Sequence, residues 1–124
     1  MKEYTVKVFD DGTKYWYLNG VLHREDGPAI ENVDGGKAWY LNGLLHRGDG
    51  PAVERTDGDK EWYLNGERYR EDGPAVEWAD GTKKWYSNGK ELTEEEFNAK
   101  TQVKELSVAE LQEMLGFKIK VVDK

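Results

Sequence analysis

The side chains with the greatest chemical reach in this sequence come as three pairs at a fixed interval: His23-Arg24, His46-Arg47 and Tyr69-Arg70. A row of guanidinium, imidazole and phenol groups fits two roles. It can grip the phosphates and stack on the bases of a small nucleotide, because guanidinium groups bind phosphate bidentately and aromatic rings accept any base. Alternatively, each Arg pairs with an acidic neighbour such as Glu25 or Glu31, or lies over a Tyr ring. His23 and His46 also invite a metal reading, with Asp26 and Asp49 close in sequence. The third pair has Tyr69 at the His position, which points to packing rather than ligation, so no metal is expected.

Catalytic groups are scarce. The chain has two His, no Cys and only two Ser, Ser87 and Ser107. Ser107 stands where a helix cap is expected, and no strand–nucleophile–helix elbow is present. Asp26, Asp49 and Asp72 recur with the period and read as turn formers rather than acid–base pairs. No catalytic residue, no enzyme and no cofactor is expected. Trp78 is the outlier, because Asn32 and Arg55 hold its place in earlier units. It reads either as cation–π packing on Lys83 or as an exposed anchor for a protein partner.

These groups need a scaffold, and the sequence spells it out. Trp16, Trp39, Trp62 and Trp85 are 23 residues apart. From Trp16 the unit reads WYLNGVLHREDGPAIENVDGGKA, and from Trp39 it reads WYLNGLLHRGDGPAVERTDGDKE. A third unit starts at Trp62, a fourth diverges after Trp85, and residues 6–14 resemble the end of a preceding one. A period of this kind signals a repeat architecture. Asn-Gly at 19–20, 42–43, 65–66 and 88–89 marks tight turns, with Gly20, Gly43 and Gly66 as structural residues. Asp-Gly at 11–12, 34–35, 57–58 and 80–81 marks a second set. Asp-Gly-Pro at 26–28, 49–51 and 72–74 marks a third break. The runs between them are short and rich in Trp, Tyr, Leu and Val, as strands are.

Taking Asp57-Gly58 as a two-residue hairpin turn sets Val53 opposite Trp62 and Arg55 opposite Lys60. Paired residues share a face. The prediction is a ladder of Trp, Leu and Ile/Val on one face, with Tyr17, Tyr40, Tyr63 and Tyr86 among charges on the other. A bulge of one residue would reverse part of this. Whether each unit has two strands or three depends on whether Asn-Gly makes its own turn.

The pattern W-x-x-N-G-x-x-H … G … D-G-x-K-x-W, carried by Trp16, Asn19, Gly20, His23, Gly27, Gly35 and their equivalents, resembles a variant of the MORN repeat. It is more similar still to WYLNG…LHREDGPA repeats of tailed bacteriophages and some bacteria. The resemblance covers about residues 4–92. It departs from MORN at Lys14, Lys37, Lys60 and Lys83, where that repeat usually has Gly. It implies stacked antiparallel hairpins with two strands per unit, residues 19–27 as one long loop, and a scaffolding or binding role. Lipid binding, suggested for MORN arrays, conflicts with an acidic chain.

After Leu92 the pattern changes. Thr93 and Glu96 form a capping box, which predicts a helix near 94–100. Ser107-Val108-Ala109-Glu110 is a second box, Leu106 and Leu111 suit a hydrophobic staple, and Gly116 suits a C-terminal stop. Residues 117–122 alternate as a strand that either covers the array or pairs with a second copy, giving a homodimer.

The net charge of −7 disfavours direct nucleic-acid binding and suits a basic protein or an acidic mimic of nucleic acid. There is no Cys, no apolar run of membrane-spanning length and no apolar signal segment after Met1, so a cytoplasmic protein is expected. The expected fold is a mainly β, elongated antiparallel meander over 1–92, with a helix–helix–strand cap over 93–124. The expected function is a non-enzymatic interaction protein, encoded by a phage, that binds and modulates a host or phage protein. The alternatives are sequestration of a small cyclic nucleotide through Arg24, Arg47, Arg70, His23, His46 and Tyr69, and nucleic-acid mimicry.

Overall fold

A computed structural model describes residues 2–104. The described chain is mainly β. Its strands are β1 (Tyr4–Val8), β2 (Lys14–Leu18), β3 (Val21–Leu22), β4 (Ile30–Glu31), β5 (Lys37–Ala38), β6 (Tyr40–Leu41) and β7 (Leu44–Leu45). They continue as β8 (Val53–Glu54), β9 (Lys60–Glu61), β10 (Tyr63–Leu64), β11 (Glu67–Arg68), β12 (Val76–Glu77), β13 (Lys83–Ser87) and β14 (Lys90–Leu92). The helix α1 (Glu94–Lys104) follows. An open antiparallel sheet runs in the order β1-β2-β4-β5-β8-β9-β12-β13-β14, with β3 beside β2. The pairs β6-β7 and β10-β11 are small ribbons.

Each Asn-Gly forms its own two-residue turn. Leu18 pairs with Val21 and Leu41 with Leu44 across it. Asn19, Asn42, Asn65 and Asn88 have φ near +50°, and the glycines after them are also positive, as a type I′ turn requires. Residues 19–27 are therefore not one long loop, and each unit adds a short hairpin across Asn-Gly to its two strands in the sheet. Trp39 marks where the chain passes from sheet to ribbon. Its N–H donates to the Ala52 carbonyl in the sheet, and its own carbonyl accepts from His46 N–H in the ribbon.

The Asp-Gly turns differ from the two-residue form. Arg55 N–H donates to the Asp59 carbonyl and Gly58 N–H to the Arg55 carbonyl, which closes a three-residue loop. Gly58 has φ +103°, the left-handed residue of a bulge that only glycine adopts cheaply. The Asp side chain fixes the loop, with Asp57 Oδ1 accepting from Asp59 N–H at 2.9 Å. Equivalent bonds occur at Asp11, Asp34 and Asp80.

That extra residue reverses the predicted faces. Val53 pairs with Glu61, Ile30 with Ala38 and Val76 with Lys84, so none of them opposes a Trp. Continued by one residue, the register alternates Trp16, Ala29, Trp39, Ala52, Trp62, Ala75 and Trp85 along one face. Ala29, Ala52 and Ala75 are fully buried. Ile30, Val53 and Val76 join the tyrosines on the other face. The small residue between two indoles lets neighbouring strands carry large rings without collision.

The helix begins as predicted and runs longer. Thr93 Oγ1 accepts from Glu96 N–H at 3.1 Å, and Glu96 Oε1 accepts from Thr93 N–H at 2.9 Å. Phe97 is buried where α1 packs on β13 and β14. The second capping box, the strand over 117–122 and the proposed dimer contact lie outside the described residues. Among the described residues no helix is long and apolar enough to cross a membrane.

Candidate functional site

The loops over 23–28, 46–51 and 69–74 fold back onto the Trp face. In each, the guanidinium lies over the ring of the Trp eight residues earlier. Arg24 Cζ is 3.8 Å from the Trp16 ring centre, Arg47 Cζ is 3.7 Å from that of Trp39, and Arg70 Cζ is 4.0 Å from that of Trp62. Two of the three nitrogens of each guanidinium are also engaged. Arg47 Nε donates to Asp49 Oδ1 at 3.1 Å, and one terminal nitrogen donates to the Pro51 carbonyl and to Glu54 Oε2. Arg24 repeats this with Asp26, Pro28 and Glu31, and Arg70 with Asp72, Pro74 and Glu77. On its outer side the guanidinium meets a glycine backbone. A Cβ on Gly27, Gly50 or Gly73 would stand 3.0–3.1 Å from Arg Cζ. The Asp-Gly-Pro motif thus supplies a carboxylate, a gap and a carbonyl to one Arg.

The histidines join neighbouring units. His23 Nδ1 accepts from Asn42 N–H at 2.8 Å, and His46 Nδ1 accepts from Asn65 N–H at 3.0 Å. An imidazole that accepts at Nδ1 carries its proton on Nε2, and His23 Nε2 faces Glu25 Oε2 at 3.2 Å. Lys2, which also bonds Glu25, and then His23 hold that carboxyl below its ordinary range. Backbone bonds reinforce both joints: Arg24 N–H to Tyr40 O, Gly43 N–H to Leu22 O, Arg47 N–H to Tyr63 O and Gly66 N–H to Leu45 O. Between the third and fourth units, neither backbone bond forms among the described residues. There Tyr69 stands exposed in place of His, and Arg68 replaces Leu22 and Leu45.

The structure therefore brings Arg24, Arg47, Arg70, His23, His46 and Tyr69 to one side of the sheet, along with Trp16, Trp39 and Trp62. Two grooves separate the three loops. The first, of about 520 Å³, is floored by Pro28, Trp39 and Leu41 and edged by Glu25, Asp26 and Asp49. The second, of about 730 Å³, is floored by Pro51, Trp62 and Leu64 and edged by Asp49, Glu71 and Asp72. Although each bonds an Arg, the Asp26, Asp49 and Asp72 side chains stay 85–88% exposed. Gly48 lines both grooves, and a Cβ there meets nothing within 4 Å.

Trp78 lies apart from these residues. It opens the fourth bulge turn, where its N–H donates to the Thr82 carbonyl. Lys83 pairs with Glu77, so the strand register does not set Trp78 opposite Lys83 as cation–π packing there would need. The indole shares the Tyr face with Val76 and is half-buried.

The Tyr face holds one polar network that the sequence reading missed. Glu61 is 5% exposed. Its carboxylate accepts from Arg55 at 2.7 Å, from the Tyr63 hydroxyl at 2.9 Å and from Arg68 at 3.3 Å. Arg68 also donates to the Tyr86 hydroxyl at 2.8 Å. Burial works to raise the Glu61 carboxyl, but Arg55, Tyr63 and Arg68 outweigh it and hold the group below its ordinary value. The available signal was the column Tyr15, Ala38, Glu61, Lys84, which changes at every unit. The signal for Gly27, Gly50 and Gly73 was their constant offset of three from Arg.

No protein-family model, no curated protein and no solved structure matches this chain.

Proposed function

We propose that this chain is a non-enzymatic interaction module that engages a protein partner through the two grooves on its Trp face. The observation that carries the reading is the state of the three Arg side chains. Each lies over an indole, and its Nε and one terminal nitrogen are bonded to two carboxylates and a carbonyl. A bidentate grip on a nucleotide phosphate at Arg24, Arg47 or Arg70 would have to displace a carboxylate already in a charge-assisted bond. What the grooves offer is a mixed lining, Pro, Trp and Leu beside the paired guanidiniums and exposed carboxylates, a combination suited to a polypeptide. Nucleic-acid mimicry is the weaker reading. Two strands per unit, each about 4.8 Å wide, space Asp26, Asp49 and Asp72 by roughly 10 Å, whereas one DNA strand carries a phosphate about every 3.4 Å of axis.

The resemblance to MORN-like and phage repeats belongs to the same reading. Under it the partner is a phage or host protein met in the cytoplasm, and its activity is modulated by being held. The test is parallel affinity purification of wild-type protein and Gly48→Trp, with bound proteins and released small molecules identified by mass spectrometry. A stoichiometric protein lost from the variant supports the reading. A nucleotide retained by both, without a protein, overturns it.

A further inference from the structure

We propose that the segment recognised by the grooves is an extended basic stretch with Lys or Arg at every third residue, one side chain seated in each groove. This rests on the preceding reading that the grooves are the interaction surface and adds the chemistry and register of the occupant.

The chemistry follows from the groove walls. Pro28, Trp39 and Leu41, or Pro51, Trp62 and Leu64, offer apolar surface between two guanidinium-bearing loops, and the carboxylates of those loops stand at its lip. A long cationic side chain has this composition in reverse: an aliphatic stem with a charged tip that stays near water. The Arg side chains already present do not oppose it. Arg24 meets Asp26 and Glu31, Arg47 meets Asp49 and Glu54, and Arg70 meets Asp72 and Glu77. Each unit thus sets two carboxylates against one guanidinium and keeps a net negative charge. Glu71 adds to the lip of the second groove, whereas Glu25 at the first is already paired with Lys2. The surplus sits on the outer, exposed Asp of each pair.

The register follows from the spacing of the units. Successive units are separated by two strands of the sheet, which is about 9.6 Å at about 4.8 Å per strand. An extended chain in the polyproline II conformation has three residues per turn and rises about 3.1 Å per residue. Residues i and i+3 therefore point the same way and lie about 9.3 Å apart. A flat β-strand puts residues i and i+2 on one side at about 6.7 Å and turns residue i+3 to the other. The grooves match the first geometry and not the second.

The test uses the intact chain and fluorescent peptides of one composition, with Arg at positions 1, 4 and 7 or at positions 1, 3 and 5 of a proline-rich host. Fluorescence anisotropy at low and moderate salt reads binding. The period-three peptide is expected to bind about tenfold more tightly than its isomer. Asp49→Asn, which alters the lip of both grooves, is expected to weaken it about tenfold. Gly48→Trp is expected to abolish it while the melting temperature is retained. Equal binding of the isomers, or binding indifferent to Asp49→Asn, overturns the proposal. If Gly48→Trp loses a cellular partner but neither peptide binds wild type, the interaction surface stands and this occupant is wrong. If Gly48→Trp keeps its partner, the surface itself is wrong.

Discussion

The Trp face and the Tyr face belong to one sheet and share one period, yet they arrange their charges differently. On the Trp face the same bonds occur three times: indole under guanidinium, Asp on Nε, and Glu with a Pro carbonyl on a terminal nitrogen. On the Tyr face the central column changes from Tyr15 to Ala38, Glu61 and Lys84, and a single network gathers around Glu61. A bond repeated in every unit is one that each unit needs to close its own loop on its own strand. Residues that repeat without being used up by such bonds, here the outer faces of Asp26, Asp49 and Asp72, are what an array can present to a partner at even spacing.

This contrast is open to breakage, and the largest effect belongs to the indoles. Trp39→Ala removes the bed of Arg47 and the filler between Ala29 and Ala52. It should cost about 3 kcal/mol of stability, measured by urea unfolding. A loss under about 1 kcal/mol would mean that the Trp face is not the structural one.

Next comes the single network of the other face. Glu61→Gln should cost about 2 kcal/mol at neutral pH, because it weakens hydrogen bonds to two cations. The effect should depend on pH. The folded-state value of Glu61 lies below its ordinary 4.5. Its stabilisation is therefore complete above that ordinary value and is lost as the pH falls through the lower, folded-state one. Unfolding curves below pH 4.5 should converge for wild type and Glu61→Gln. Curves that stay apart would remove Glu61 as the acid-sensitive group.

A finer comparison sits within one loop. Gly50→Ala sets a Cβ about 3.1 Å from Arg47 Cζ and should cost about 1 kcal/mol. Gly48→Ala, two residues away, meets open space and should stay within about 0.5 kcal/mol. Equal losses would show that chain stiffness, not the guanidinium, sets the requirement for glycine. The smallest stability effect is expected at Asp72→Asn, under about 0.5 kcal/mol, because the Asp72 side chain is 85% exposed. Thermal melts at two salt concentrations check it.

Much of this scaffold was legible from residues alone. Asn-Gly between Leu18 and Val21 marked a turn, though not whether it closed its own hairpin or lay in a longer loop, and Thr93 with Glu96 fixes the start of the helix. The Asp-Gly turns were legible as turns but not in length. Asp-Gly suits both a two-residue loop and the last two positions of a three-residue loop with a bulge. One residue of difference exchanged the partners of Trp62 and Val53 and put Trp78 on the Tyr face. The partners of the Arg side chains were half legible. Glu31 was anticipated, but the indole eight residues earlier was not, because that contact exists only once the loop folds back across the strand. The bond from Asn42 to His23 joins different units and follows from stacking, which a period announces but does not align.

The most direct test of the account is an NMR measurement of the Arg Nε–H signals of Arg24, Arg47 and Arg70, before and after adding a nucleotide. Guanidinium groups locked on indoles should give three resolved signals, displaced by the ring currents and protected from solvent exchange, that do not move when nucleotide is added. Solvent-averaged signals, or signals that shift on titration, would contradict the claim that these side chains belong to the fold and leave binding to the carboxylates around them.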